Sequence, residues 1–394
     1  MRALTCPEPL RVVHVDTERT WGGGQRQVFE LATALRDLGH RCWVAARPDS
    51  RLAAALAGAG MPVLALAPRF EWDPLAVARL RSLLIRAGAQ VVHAHTAHAV
   101  ATAALASAGT PARLVASRRV ALPLRRNPLS RWKYARVARL IAVSEHVRAV
   151  LEAGGIAPQR IAVVPSGLNL AWPARPAADA VLASLGVAGR PLAVMVSSLI
   201  PPHKDPETFL VAVRAARDAG VEVHGLLVGD GPLAGAARRA RRRLGLEGVV
   251  RMAGFRADAV ELLAAADVAV LSSRDEGLGT TLLDAMAAGV PVVATAAGGV
   301  RELVRHGIEG LLAPVGDGRA LGAALVRVLR EPDLRAALAA AGRERVRQFS
   351  SERTIAGTLA AYRAVVAGVE GPGSAAPAGP REPAPGVRGG EERA

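Results

Sequence analysis

The residues richest in chemistry lie between Ser272 and Pro291, where Glu276 sits in a glycine loop and Asp284 follows eight positions later, inside a helix that starts near Thr280 or Thr281. That spacing lets both carboxylates face one cleft. Backbone N–H groups of Gly279, Thr280 and Thr281 at the helix start would point at a diphosphate, while Asp284 has a second reading as half of a capping box with Thr281. Ala297-Gly298-Gly299-Val300 offers another glycine-rich helix start directed at the same place. Lys204, in Pro201-Pro202-His203-Lys204-Asp205, is one of only two lysines, with Lys133, in a chain where 48 of 50 cations are arginine. A retained lysine at a strand's carboxyl end fits a compact point charge on a phosphate. Gly22-Gly23-Gly24 open a helix after the first strand and can bring backbone N–H groups to an anion; a plain flexible turn is the alternative. Gly229-Asp230-Gly231-Pro232 reads as a structural helix start, with Pro232 at its first position.

His93, His95 and His98 cluster at another strand end. No carboxylate or thiolate lies within a turn of His95 and His98, so the expectation is no metal: one histidine, His95, contacts a sugar, and His93 is a core residue. From Arg113 to Arg139 there are nine cations and no acid, among them Arg118, Arg119, Arg125 and Arg126, interleaved with Leu122, Leu124, Trp132 and Tyr134. The mixture suits an anionic acceptor or an anionic lipid surface, with a solvated arginine face as the alternative.

Positioning these residues requires strands whose carboxyl ends carry loops. Short β-branched runs alternate with Ala/Leu/Arg helical stretches throughout: Leu10–Asp16, Arg41–Ala46, Pro62–Ala67, Gln90–His95, Ala112–Ser117, Arg139–Ser144 and Arg160–Pro165, then six more from PLAVMVSSL to GLLAPV. This is the βαβ signature of parallel sheets, here two doubly wound, Rossmann-like halves. Expected boundaries are an N-terminal domain over 1–170, a linker over 171–190 holding Trp172, Pro173 and Pro176, and a second domain over 191–349. A helix over 350–369 returns to the first domain, and the Pro/Gly/Ala-rich 370–394 is a disordered tail. Ligands of such sheets bind outside the strands' carboxyl ends, here between the halves.

The length of 394 residues supports two cores, and the formal charge of +16 favours anionic partners. The arginine bias discounts that charge as a sign of nucleic acid, and no nucleic-acid-binding motif is present. Cys6 and Cys42 make no disulfide framework, and the N-terminus lacks a signal-peptide pattern. The expected location is the cytoplasm, peripheral on the inner face of a membrane.

From Leu10 to about Val369 the sequence resembles retaining GT-B glycosyltransferases of family 4. The resemblance rests on GGGQ, HAH, PHKD, VGDGPL, GF followed by an acidic residue, and above all EGLGTTLLDAMAAGVPVVAT. It implies hexosyl transfer from a nucleotide diphosphate sugar, UDP favoured, to a glycan, glycolipid or other hydroxyl acceptor, with retention, no metal and no cofactor beyond the co-substrate. It further implies that Glu276 meets the donor sugar hydroxyls, Asp284 the ribose, Lys204 the diphosphate, and Gly254 and Phe255 the base. Gly23 and Gly24 would close over the phosphates. Three departures stand out: aspartate replaces the second glutamate of E-x7-E, Ser197-Ser198 stands where many members have an arginine, leaving Arg274 and Arg301 as substitutes, and Ser117-Arg118-Arg119 replaces a histidine position. The alternatives are a sugar-nucleotide epimerase on the same fold and a non-catalytic nucleotide-sugar-binding homologue. The epimerase would require a carboxylate pair in the N-terminal half.

Overall fold

A computed structural model of the chain describes residues 8–125, 127–169 and 179–368. Among the described residues thirteen strands form two wholly parallel sheets, each with its order reversing once. The first sheet contains β1 (Arg11–Asp16), β2 (Arg41–Ala46), β3 (Val63–Ala65), β4 (Val91–Ala94), β5 (Arg113–Arg118), β6 (Arg139–Ala142) and β7 (Ile161–Val163), ordered β3-β2-β1-β4-β5-β6-β7. Between them run α1 (Gly23–Asp37), α2 (Arg51–Gly58), α3 (Pro74–Arg86), α4 (Ala97–Ala106), α5 (Pro128–Ala135) and α6 (Glu145–Ala153). Strands such as Val91–Ala94 are buried along their whole length, because helices cover both sheet faces.

After α7 (Asp179–Ser184), the second sheet contains β8 (Leu192–Val196), β9 (His224–Val228), β10 (Val250–Gly254), β11 (Val268–Leu271), β12 (Val292–Thr295) and β13 (Gly310–Ala313), ordered β10-β9-β8-β11-β12-β13. Its helices are α8 (Pro206–Asp218), α9 (Ala234–Arg243), α10 (Ala259–Ala264), α11 (Thr280–Ala288) and α12 (Val300–Leu303). Then come α13 (Gly318–Arg330), α14 (Pro332–Val346) and α15 (Ser351–Val366). Three differences from the sequence expectations have local causes. The linker stretch contains α7, whose Leu182 and the following Val187 are buried, giving this segment a core face; Trp172, Pro173 and Pro176 lie outside the described residues. Pro232 precedes the helix, which starts at Ala234, because Gly231 donates to the Asp230 carboxylate in a turn of its own. The helix α11 starts at Thr280, so Thr281 is already inside it and the capping box with Asp284 does not form; left-handed Gly279 is the N-cap.

The last helix packs on the first sheet. Tyr362, Leu359 and Val365 are buried with Val12, Val44 and Ile141, and the chain passes between domains beside residue 168, where Leu168 N–H donates to Phe349 O (2.9 Å) and Ser351 N–H to Leu168 O (2.8 Å). Among the described residues no helix is long and apolar enough to cross a membrane. Residues 370–394 lie outside the described residues.

The topology decides where chemistry can occur. Strand order reverses between β1 and β4 and again between β8 and β11. A crevice forms beyond the carboxyl ends at such a reversal because the two flanking connections leave on opposite faces. The four loops at these two reversals are those after Asp16, Ala94, Val196 and Leu271, which carry the glycine run, the histidines, Lys204 and Glu276.

Candidate functional site

Between the domains lies a cleft of about 870 Å³, within the size range of small-molecule sites. Arg19, Arg26, Arg51, Lys204 and Arg256 line it against the acids Asp230, Glu276 and Asp284, leaving an excess of positive charge that suits an anionic ligand. Gly23, Gly279, Thr280, Thr281 and Phe255 also line it. The cleft therefore gathers Glu276, Asp284, Lys204, Gly23, Phe255 and the start of α11, all singled out in the sequence.

Glu276 and Lys204 are brought together by backbone pairing. Lys204 bridges antiparallel to Ser273, Asp205 N–H donates to Ser272 O, and Arg274 N–H donates to His203 O, so the two loops form one unit. The Lys204 ammonium donates to Glu276 Oε1, which also accepts from Ser273 Oγ at 2.7 Å. The side chains are 17% and 11% exposed, leaving one edge of each turned to the cleft. Asp284, one turn into α11, accepts from Arg26 Nη1 of α1 at 2.8 Å; burial pushes its carboxyl above the usual range, and Arg26 opposes that rise. The start of α1 faces the start of α11 closely, a Cβ on Gly23 falling 3.0 Å from Thr280 Oγ1. On the other side of the cleft the Arg51 guanidinium stacks 3.6 Å over the Phe255 ring.

Other expected contacts lie elsewhere. Gly299 is outside the cleft: its N–H donates to Glu276 O at 2.9 Å and a Cβ there would stand 2.1 Å from Gly277 O, so it supports the Glu276 loop by close packing and presents no N–H to a phosphate. Gly24 faces Arg119, and Gly254 turns the chain with φ +65° while its carbonyl accepts from Gly229; neither lines the cleft, leaving Phe255 as the wall. Arg118 donates to Leu122 O, Arg125 is exposed, and Arg126 lies outside the described residues. Within the arginine-rich stretch Tyr134 is buried, and so is Lys133, which pairs with Glu71; the acid missing locally comes from the β3–α3 loop.

His95 lies in a buried cluster with His14 and His93, whose ligand-type atoms fall within 4.8 Å of one another. The protons can be assigned from the network. Arg119 Nη1 and Nη2 are each 3.3 Å from His95 Nδ1, which must accept; His95 Nε2–H then donates to His14 Nδ1 at 3.0 Å. His93 bonds Tyr362 OH and Ser117 Oγ. His14 Nε2 has no partner among the described residues. Burial, aided by Arg119, drives the His14 imidazole down to about 3 and His93 and His95 well below their usual value, so all three stay neutral. A guanidinium at hydrogen-bond distance and five of the six ring nitrogens already paired fit a neutral hydrogen-bonded cluster better than a cation site.

Arg26 and Arg51 were not singled out in the sequence, because each acts on a residue of the other domain. One signal was present: a cation four residues into α1 opposes the helix dipole, a local cost that marks functional positions.

Two Rossmann-like parallel sheets with their strand-order reversals facing one basic cleft define the GT-B architecture. Residues 190–331 match the family model for glycosyl transferases group 1, and residues 21–172 match that for glycosyltransferase family 4. A D-inositol 3-phosphate glycosyltransferase of Saccharomonospora viridis is 32% identical over 73% of this chain and 67% of its own length. A phosphatidyl-myo-inositol mannosyltransferase of Mycobacterium leprae is 29% identical over 83% and 89%. The crystal structure of Anabaena Alr3699/HepE in complex with UDP and glucose superposes with a TM-score of 0.78 over 89% of this chain and 99% of that one; at 23% identity it shows a common fold. The chain belongs to glycosyltransferase family 4, and its class of chemistry is glycosyl transfer.

Proposed function

We propose that the protein transfers a hexosyl unit from a nucleotide diphosphate sugar, UDP-linked in the first instance, to a hydroxyl of a glycan or glycolipid, with retention and without a metal ion. The observation that carries this is the pairing of Glu276 with Lys204 beside the start of α11. A carboxylate that can accept from sugar hydroxyls, an ammonium and a row of helix N–H groups stand within one wall, as a sugar joined to a diphosphate requires. In this reading Asp284 holds the ribose, Phe255 flanks the base, Gly23 closes over the phosphates, and the second domain binds the donor. An oxocarbenium-like transition state with a departing diphosphate asks for positioning and charge neutralisation, and a leaving-group oxygen can take the acceptor's proton. His95, neutral and turned toward His14, then acts by holding Arg119, which packs beside Gly24 and does not itself line the cleft. The relatives named for inositol phosphate and phosphatidylinositol acceptors, and the solved neighbour holding UDP and glucose, support the same assignment.

The test is the shift in unfolding temperature with UDP, GDP and ADP. A nucleotide at 100 times its dissociation constant adds roughly 2.7 kcal/mol. A rise with one base that Lys204→Ala diminishes is the expected result; no response to any of the three removes the assignment.

We further propose that the acceptor is met at an anionic membrane of the cytoplasmic face. Trp72 and Trp132 join the β3–α3 loop to α5 (5.5 Å between rings), Phe70 and Leu129 beside them are about 60% exposed, and Arg125, Arg131 and Arg136 surround them in sequence on exposed positions. Apolar tips among arginines suit lipid headgroups. Co-sedimentation with phosphatidylglycerol vesicles, lost on Phe70→Ser with Leu129→Ser, is expected; equal sedimentation with pure phosphatidylcholine vesicles would count against it.

A further inference from the structure

A nucleotide diphosphate carries more negative charge than Lys204 can neutralise, since that ammonium already shares Glu276. A second cation is required at the α11 start. Ser197 and Ser198 line the cleft there and supply none. Arg274 turns away to Asp205 (3.0 Å) and Arg301 donates to Ala296 O (3.2 Å); neither lines the cleft, so these two substitutes fail on geometry. Of the remaining lining cations, Arg256 is held by Asp258, Arg51 lies over Phe255, and Arg19 reaches Asp49 at a largely exposed position.

Arg26 is differently placed. It rises from the first turn of α1, which faces the first turn of α11, and its Nη1 ends on Asp284, the carboxylate one turn into that helix. Its Nε is held separately by Glu30 at 2.8 Å. The guanidinium thus has a tether at one end and a displaceable partner at the other.

We propose that Arg26 is a ligand of the donor diphosphate, supplied across the cleft by the acceptor domain, and that it exchanges Asp284 for the phosphates when ribose hydroxyls occupy that carboxylate. This rests on the nucleotide-sugar reading above. Asp284 accepts from hydroxyls in place of Arg26, and Arg26, pivoting on Glu30, meets the phosphates on the N–H groups of Thr280 and Thr281. A guanidinium suits the task because its fork can bridge two phosphate oxygens. The exchange couples donor binding to the contact between domains: the nucleoside breaks one cross-cleft bond and the diphosphate makes another.

The experiment measures, by titration calorimetry, the affinities of UDP, GDP and ADP and of uridine, guanosine and adenosine for the wild type, Arg26→Ala and Arg26→Lys. For the base that binds, Arg26→Ala lowers the ratio of diphosphate to nucleoside affinity by about tenfold to a hundredfold, the range for a hydrogen bond to a charged group. Nucleoside affinity holds or rises, because Asp284 is freed, and this also reports an intact fold. Arg26→Lys falls between, keeping the charge without the fork. An unchanged ratio, or an equal loss of nucleoside and diphosphate, overturns the proposal while leaving the nucleotide-sugar reading standing. Failure of the wild type to bind any of the three diphosphates overturns both.

Discussion

Replacing Glu276 by glutamine lowers sugar transfer by about a thousandfold or more while the protein stays folded and keeps its affinity for the free nucleotide. The size follows from the role we propose for this carboxylate. It stands at the end of β11 on a loop fixed to the Lys204 loop by backbone pairing, so its oxygens are held before substrate arrives. Preorganised charge beside a developing positive centre is worth about 10²–10³ in rate per removed group, and the contact to sugar hydroxyls adds to that. Glutamine keeps an oxygen that can accept from Ser273 Oγ and from Lys204, so local geometry is retained and only the negative charge is lost. Alanine instead leaves Lys204 unpaired at 17% exposure and costs stability as well. The measurement is nucleoside diphosphate release from a panel of nucleotide sugars, with calorimetric nucleotide affinity alongside. Release by Glu276→Gln at the wild-type rate would remove Glu276 from the mechanism.

The fold was legible because fully parallel sheets announce themselves. A strand buried on both faces must be a short apolar run, as in Leu192–Val196 or Val268–Leu271, and the loops at its carboxyl end hold the polar and glycine residues. The Glu276 loop was legible for the same reason: its residues are contiguous, and one local structure places them. Residues whose role depends on the other domain were not legible. Arg26 and Asp284 are 258 positions apart, and nothing in either neighbourhood names the partner. The histidine cluster shows an intermediate case, since His14 and His93 are in register only once β1 is known to lie beside β4. Gly299 shows the converse failure. Glycine before a short helix is common to phosphate loops and to close backbone packing, and only the 2.1 Å approach to Gly277 O separates the two.

Gly277→Ala provides the sharpest test of whether the two domains act as one site. The Gly277 φ is not left-handed, so alanine meets no backbone strain there; its obstacle is a Cβ only 2.1 Å from Arg119 O and 2.8 Å from Arg119 C, both main-chain atoms of the N-terminal domain. A rotamer change cannot relieve that contact, and the domains must part by roughly an ångström to restore ordinary packing. The same seam holds four polar contacts: Ser144 Oγ donates to Gly277 O, His146 meets Asp275 at 3.1 Å, and the Glu302 carboxylate accepts from the N–H groups of both Glu145 and His146 at the start of α6. Parting the seam therefore shifts Glu276 relative to whatever the N-terminal wall presents. A misplacement of about 1 Å costs on the order of a hundredfold in rate and the loss falls on kcat; nucleoside affinity, which our proposal assigns to Asp284 and Phe255 of one domain, is retained, while the diphosphate increment proposed for Arg26 falls as the domains part. Ser144→Ala removes one contact without a clash and lowers kcat only a few-fold. Steady-state rates with nucleoside affinity measured in parallel distinguish the outcomes: a wild-type kcat in Gly277→Ala would show that the domains react independently of this seam, whereas lost nucleoside affinity would place the damage inside the donor domain.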